Sequence, residues 1–457
     1  MEGKKLNWQK LFDTTRLGKA ADQSAAGEFS RNHFARDFDR IIFSTPFRRL
    51  QAKTQVVPLP DMDFIHTRLT HSLETSSIGR SVGRLIGMAL IERDSEYFRS
   101  IGIRPSDFES VIAAACIAHD IGNPPFGHSG EKAISEYFET GRGVQYLSDL
   151  TDQQQADLIS FEGNALGFRI LSHSLPAQTS APGGLGLTYA SLTVFMKYPK
   201  ASRPVISGSK ASEKKYGFFQ AEQKIVQTIA NAVGLIPKNY GTKGKGWYRH
   251  PLAFLVEAAD DIGYLIIDLE DGYKRGSIAR DEVLEYYFTL FGANQPPDIA
   301  KKLKQIHDPK EQVGYLRARV INHLIKRIAD KFLIEVDNIL TGRFDEELIF
   351  SIPEGTVLKE IESVSIEKIY NALDIVEVEV AGYEVITGLL DIFIKALYNE
   401  GSRYKKVRRL IPNQYLAPGR KNFKDRYEGL LSITQFIASM TDSYAVELFR
   451  KMKGVTL

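Results

Sequence analysis

The stretch Cys116-Ile117-Ala118-His119-Asp120-Ile121-Gly122-Asn123-Pro124-Pro125-Phe126-Gly127-His128-Ser129-Gly130-Glu131 decides how the chain reads. An almost wholly apolar run, Phe108–Ile121, meets an imidazole and a carboxylate near its end, where burying either is costly without a partner. Adjacent helical residues point ~100° apart, so His119 and Asp120 converge only on something lying between them near the helix end. Imidazole with carboxylate suits Mn2+, Fe2+, Zn2+, Co2+ or Ni2+, and Mg2+ less readily. Asn123-Pro124-Pro125 must break the helix. The spacing predicts a new helix over Ser129–Phe138, capped by Ser129, with His128 and Glu131 three apart on one face. A His held by a carboxylate is a general acid/base arrangement, and a helix start favours phosphate. A surface ion pair beside a capped helix is the competing reading.

Two further ligands are proposed from the rest of the chain. His71 stands at the start of an amphipathic helix that continues through Ser76–Glu92, and Asp260 lies mid-helix in Pro251–Asp271, with Gly272 placed to end it. Hydrogen-bonded core histidines remain the alternative. Asp260, Tyr264 and Asp268 follow at i, i+4 and i+8, drifting only ~40° per step, so they form one polar and aromatic stripe. That stripe favours Asp260 over Asp261 as the ligand. Two long loops, Ser174–Gly217 and Lys238–Arg249, carry Lys197, Lys200, Lys214, Lys215, Lys243, Lys245 and Arg249, interleaved with Tyr198, Tyr216, Phe218 and Tyr248. Cations around a pocket suit a polyphosphate, whereas a groove of cations and aromatics suits single-stranded nucleic acid.

Helices are also predicted over Gln312–Asn338, Tyr383–Asn399 and Gly429–Met452, and the best strand-like stretch is Ile375–Val380. The expected fold is one all-α domain over residues 1–457, with a minor β element and long basic loop insertions. With 43% hydrophobic and 25% charged residues, the 457-residue chain has the makings of an ordinary core. One cysteine excludes an internal disulfide framework and cysteine-cluster zinc sites. A balance of 59 Lys+Arg against 56 Asp+Glu makes any basic surface local. No signal-peptide pattern or ~20-residue apolar run is present, so a cytoplasmic protein with no membrane partner is expected.

The order His71, His119-Asp120, Asp260 resembles the HD-domain phosphohydrolases. Asp37–Phe43, Phe47–Val56, Thr67–Glu74, His119–Glu131, Phe161–Ala165 and Arg249 through Asp261 narrow that resemblance to the bacterial deoxyguanosinetriphosphate triphosphohydrolases. The resemblance implies an HD helical bundle, its metal core at about residues 30–272, followed by a helical part at about 273–457. It implies hydrolysis of dGTP, or another dNTP, to deoxynucleoside and triphosphate by water attack at the α-phosphorus. Mn2+ or Mg2+ is expected on His71, His119, Asp120 and Asp260, with His128 and Glu131 as the catalytic dyad. On the substrate side, Gln55, beside Val56, and Asp268 match positions that read the 3′-hydroxyl, and Tyr264 matches a ring under the deoxyribose. Arg68, Lys214, Lys215, Tyr216 and Arg249 match phosphate-contacting regions, and Asn164 lies near the site. A homo-oligomer, hexameric by resemblance, is expected. The alternatives are a single-stranded DNA- or nucleotide-binding HD protein, using the Arg403–Arg409 cluster as an electrostatic strip, and an HD phosphodiesterase of another nucleotide.

Overall fold

In the computed structural model, residues 4–19, 32–55, 66–173, 183–204, 210–241, 244–292, 295–416, 423 and 425–455 are described. Helices dominate. Those that build and support the site are α1 (Arg68–Arg93), α2 (Pro105–Ala118), α3 (Gly127–Glu139), α4 (Gly163–Ser172), α5 (Ala253–Lys274), α6 (Pro309–Leu340), α7 (Leu373–Tyr398), α8 (Arg426–Ala438) and α9 (Asp442–Lys453).

The central pair is α1 against α2. Thr67 caps α1, its side chain accepting from Thr70 N–H while Thr70 Oγ1 accepts from Thr67 N–H. Pro105 opens α2, whose following residues run apolar and buried from Val111 to Ala118. Gly79, Gly83 and Gly87 form a stripe on α1 that lets the helices touch. A Cβ at Gly79 would lie 2.5 Å from Cys116 Sγ, and one at Gly83 2.9 Å from Ile112 Cδ1. That close approach brings the start of α1 beside the end of α2.

Buried apolar residues fall into two clusters. The larger runs from Leu6 to Ile369 and encloses α1, α2, α5 and α6. The second joins α3, α4 and the segment around Phe161 to α7, α8 and α9. The C-terminal helices therefore share a core with the turn that follows His119-Asp120. No helix among the described residues is long and apolar enough to cross a membrane.

Several expected boundaries are corrected. Ile375–Val380 is the first part of α7 and not a strand. Val376 and Val380 are exposed while Ile375 is buried, and Gly382, Val385 and Ile386 continue its buried face at helical spacing. β structure among the described residues is confined to isolated bridges, so no neighbouring strand takes up those backbone groups. Gly429–Met452 is two helices, α8 and α9, with Thr441 capping the second. Gly272 lies inside α5, where a Cβ would meet Ile369 Cδ1 at 2.7 Å, so its smallness serves packing. Pro251 precedes the first turn of α5. Ser129 does not cap α3, which begins at Gly127 after Phe126 in the left-handed conformation (φ 62°). The two basic loops are joined by the bridge Lys200–Gly246, Ala201 pairs with Phe218 just past the end of the first loop, and the first loop contains a helix, Tyr189–Phe195.

Candidate active site

His71, on the first turn of α1, faces Asp260 on α5, with Nε2 2.9 Å from Asp260 Oδ1. Gly263, on the next turn of α5, leaves room for the His71 ring: a Cβ there would stand 3.2 Å from its Cε1. His119 closes α2. Its Nδ1 donates to the Cys116 carbonyl at 2.7 Å, which fixes the tautomer and leaves the Nε2 lone pair toward Asp260 Oδ1, 3.2 Å away. One donor atom from each of His71, His119 and Asp260 lies within 4.8 Å of the others. Two imidazole nitrogens and a carboxylate oxygen at that separation fit a divalent transition ion.

Asp120 sits beside this trio. Its Oδ1 is 3.4 Å from His119 Nε2 and also accepts from Asn123, while Oδ2 accepts from Arg68 Nη1 at 3.0 Å. Burial opposes ionisation of Asp120, but Arg68, His119 and His71 outweigh it and bring the carboxyl to about 2. Burial likewise opposes ionisation of Asp260, and Lys197 and His119 hold it well below the usual carboxylate range. Lys197 Nζ lies 2.5 Å from the second Asp260 oxygen. Acid groups and cations thus interlock at this end of the pocket.

The second half of the motif builds the adjoining wall. His128 Nδ1 is 2.8 Å from Glu131 Oε2, and Glu131 Oε1 accepts from Gly163 N–H at 2.8 Å. Burial opposes ionisation of Glu131, but His128 and Lys215 keep its carboxyl below the usual range. Glu162 accepts from Asn164 Nδ2 at 2.7 Å and from Lys215 Nζ at 3.4 Å. Glu162 and Gly163, at the start of α4, therefore hold the Glu131 carboxylate, the Asn164 amide and the Lys215 cation.

One cavity of about 400 Å3 is lined by Gln55, Arg68, His71, His119, Asp120, His128, Asn164, Lys197, Tyr198, Lys215, Asp260 and Tyr264 among others, with Glu131 and Glu162 set behind its wall. The HD domain pattern matches residues 68–162, which contain His71, His119-Asp120 and the His128–Glu131 pair. A Synechocystis protein named deoxyguanosinetriphosphate triphosphohydrolase-like is 40% identical over 99% of this chain and 100% of its own length. The chain belongs to the deoxyguanosinetriphosphate triphosphohydrolase family. A similarly named Pseudomonas aeruginosa (strain LESB58) protein is 37% identical over 98% of this chain and 99% of its own. A Cronobacter sakazakii protein named deoxyguanosinetriphosphate triphosphohydrolase is 28% identical, covering 99% and 98%.

Not every residue suggested by the triphosphohydrolase resemblance reaches the cavity wall. Lys214 is on the surface, paired with Glu347 at 2.7 Å. Tyr216 is buried in the second core, its hydroxyl donating to the Asp157 carbonyl. Arg249 is buried behind the wall, donating to both Glu257 oxygens at 2.6 and 3.0 Å with its guanidinium over the Tyr198 ring. Asp268 lies one layer back, accepting from the Tyr370 hydroxyl at 2.5 Å. Burial raises its carboxyl to about 8, against the Tyr370 hydrogen bond. Val56 and Lys243 fall outside the described residues. Gln55 lines the cavity, and its Oε1 is buried without a partner among the described residues.

Sequence reasoning passed over the far wall of this family member's pocket. Tyr370 stacks on Tyr264 at 5.6 Å and 17°, and Ile366, Ile375 and Glu379 line the cavity beside it. These side chains come from a part of the chain with no motif. The period-2 pattern at Ile375–Val380 was the one signal there, and it pointed to the wrong backbone.

Proposed function

We propose that the chain hydrolyses a deoxynucleoside triphosphate, dGTP foremost, to the deoxynucleoside and intact triphosphate. The observation that carries this reading is the convergence of the His71–His119–Asp260 donors and the His128–Glu131 pair on one cavity lined with cations. The relatives' names agree with it.

His71, His119 and Asp260 would hold a divalent ion, Mn2+ or Mg2+, with Asp120 alongside. When bound, that ion supplies Lewis-acid charge for a phosphate oxygen and lowers the pKa of water. Arg68, Lys197 and Lys215 bind the triphosphate oxygens and offset charge that develops as the ester bond breaks. His128 moves a proton at Nε2 while Glu131 holds Nδ1, so the imidazole keeps one orientation and one tautomer. Tyr264, backed by Tyr370, packs against the deoxyribose, and the unpartnered Gln55 Oε1 accepts from the 3′-hydroxyl.

The test is a product screen. The chain is incubated with four dNTPs, four rNTPs and cyclic nucleotides, each with Mn2+ or Mg2+, and products are separated. Deoxynucleoside plus triphosphate is expected, with dGTP turned over fastest. In labelled water the oxygen label should enter triphosphate; label in the nucleoside would exclude attack at phosphorus. Release of pyrophosphate or cleavage of cyclic nucleotides instead would overturn the proposal.

A further inference from the structure

The C-terminal helices reach the cavity by a second route, through two buried charged side chains. Lys53 Nζ donates to the Asn123 carbonyl at 2.5 Å and to the Ala438 carbonyl at 2.8 Å. Ala438 is the last residue of α8, and Asp442 is the first of α9. Asp442 Oδ2 accepts from Thr54 N–H at 2.9 Å and from the Thr54 hydroxyl, while Oδ1 accepts from Phe126 N–H at 3.2 Å. Lys53 is 3% exposed and Asp442 2%. Groups of this kind are costly to bury unless their bonds are made, so the bonds define one arrangement strongly.

The groups they hold are informative. Thr54, Gln55, Asn123 and Phe126 all line the cavity. Phe126 is the single non-glycine residue with positive φ among the described residues, and it directly precedes Gly127-His128. Left-handed backbone at a non-glycine residue is sterically strained and persists where surrounding bonds over-determine it. The Phe126 amide is fixed by Asp442.

We propose that Lys53 and Asp442 are positioning residues for the reaction: through them the α8–α9 turn sets the Thr54–Gln55 side of the cavity against the Phe126–His128 side. This rests on the triphosphohydrolase reading. Neither residue touches the substrate; each acts through the segments it holds.

Asp442→Ala, Asp442→Asn and Thr54→Val are compared with the unaltered chain for dNTP hydrolysis and, on the same samples, for Mn2+ affinity by calorimetry. In Asp442→Ala, kcat/KM should fall about tenfold or more while Mn2+ affinity is kept, because small misplacements of reacting groups are expensive. Asp442→Asn keeps one accepting oxygen and should retain more activity. Thr54→Val removes only one hydroxyl bond, so it folds even if the Asp442 variants do not, and KM should rise roughly threefold. Unchanged kcat/KM in folded Asp442→Ala, unchanged KM in Thr54→Val, or loss of Mn2+ binding in step with activity would overturn the inference. An unaltered chain without turnover would instead sink the triphosphohydrolase reading.

Discussion

His128 and Glu131 form a pair with opposite exposures: the imidazole side chain is 77% exposed and its carboxylate partner 11%, yet they meet at 2.8 Å. The carboxylate is anchored by Gly163 N–H, so the mobile-looking partner is the tethered one. His128→Ala should cut kcat by about 10²–10⁴-fold, the usual range for a general acid/base, while Mn2+ affinity stays unchanged. Steady-state kinetics with calorimetry checks both halves. Turnover equal to the unaltered chain would remove His128 from the mechanism.

Gly163 tests the anchor while leaving the His128 imidazole itself in place. A Cβ there would stand 2.5 Å from Asn123 Oδ1 and 2.7 Å from Glu131 Oε1. Gly163→Ala must push both side chains aside, so kcat should drop on the order of 10–100-fold with the helical circular dichroism kept. Normal kcat in Gly163→Ala would show that the wall yields freely.

His119→Ala leaves His71 and Asp260 in contact but removes one of three donors. Mn2+ affinity should fall about 100-fold or more, in line with the loss of a well-oriented ligand. Equilibrium dialysis gives the answer directly. Stoichiometric, tight Mn2+ in this variant would refute the donor set.

A pH effect on stability follows from His66. Its Nδ1 lies 2.6 Å from Asp271 Oδ2, and its Nε2 3.5 Å from Glu74. Burial lowers the imidazole, but the Asp271 hydrogen bond and the nearby Glu74 carboxylate outweigh it and raise it from 6.5 to about 10. A raised base stabilises fully below its unfolded value and loses that contribution as pH climbs toward its folded value. Replacing His66 with Gln should therefore cost roughly 1–3 kcal/mol near pH 6, with the gap closing as pH approaches 10. Urea unfolding of both chains across that range decides it; a gap independent of pH would contradict the assignment.

The central helices were legible in the sequence because their apolar faces repeat at helical spacing, whereas the grouping of His71, His119, Asp120 and Asp260 rested on the motif order shared with the family. His71, His119 and Asp260 could be named before any coordinates. Arg249 and Tyr216 misled for a physical reason: a cation or phenol in a basic loop reads as substrate-facing, yet Glu257 and the Asp157 carbonyl claim them in the interior. Tyr370 was invisible because its role depends on stacking with Tyr264, a contact across the fold with no spacing to announce it.

The His71–Asp260 contact spans 189 positions of chain. An ion seated there would act as a clasp, adding to the packing and to the His71–Asp260 and His66–Asp271 contacts that already close this very long loop. Ligation and folding then become a single equilibrium: at 100 times its dissociation constant an ion adds about 2.7 kcal/mol to the native state. The chain's melting temperature should thus report ion occupancy, rising with Mn2+ and falling with a chelator, in the complete absence of nucleotide.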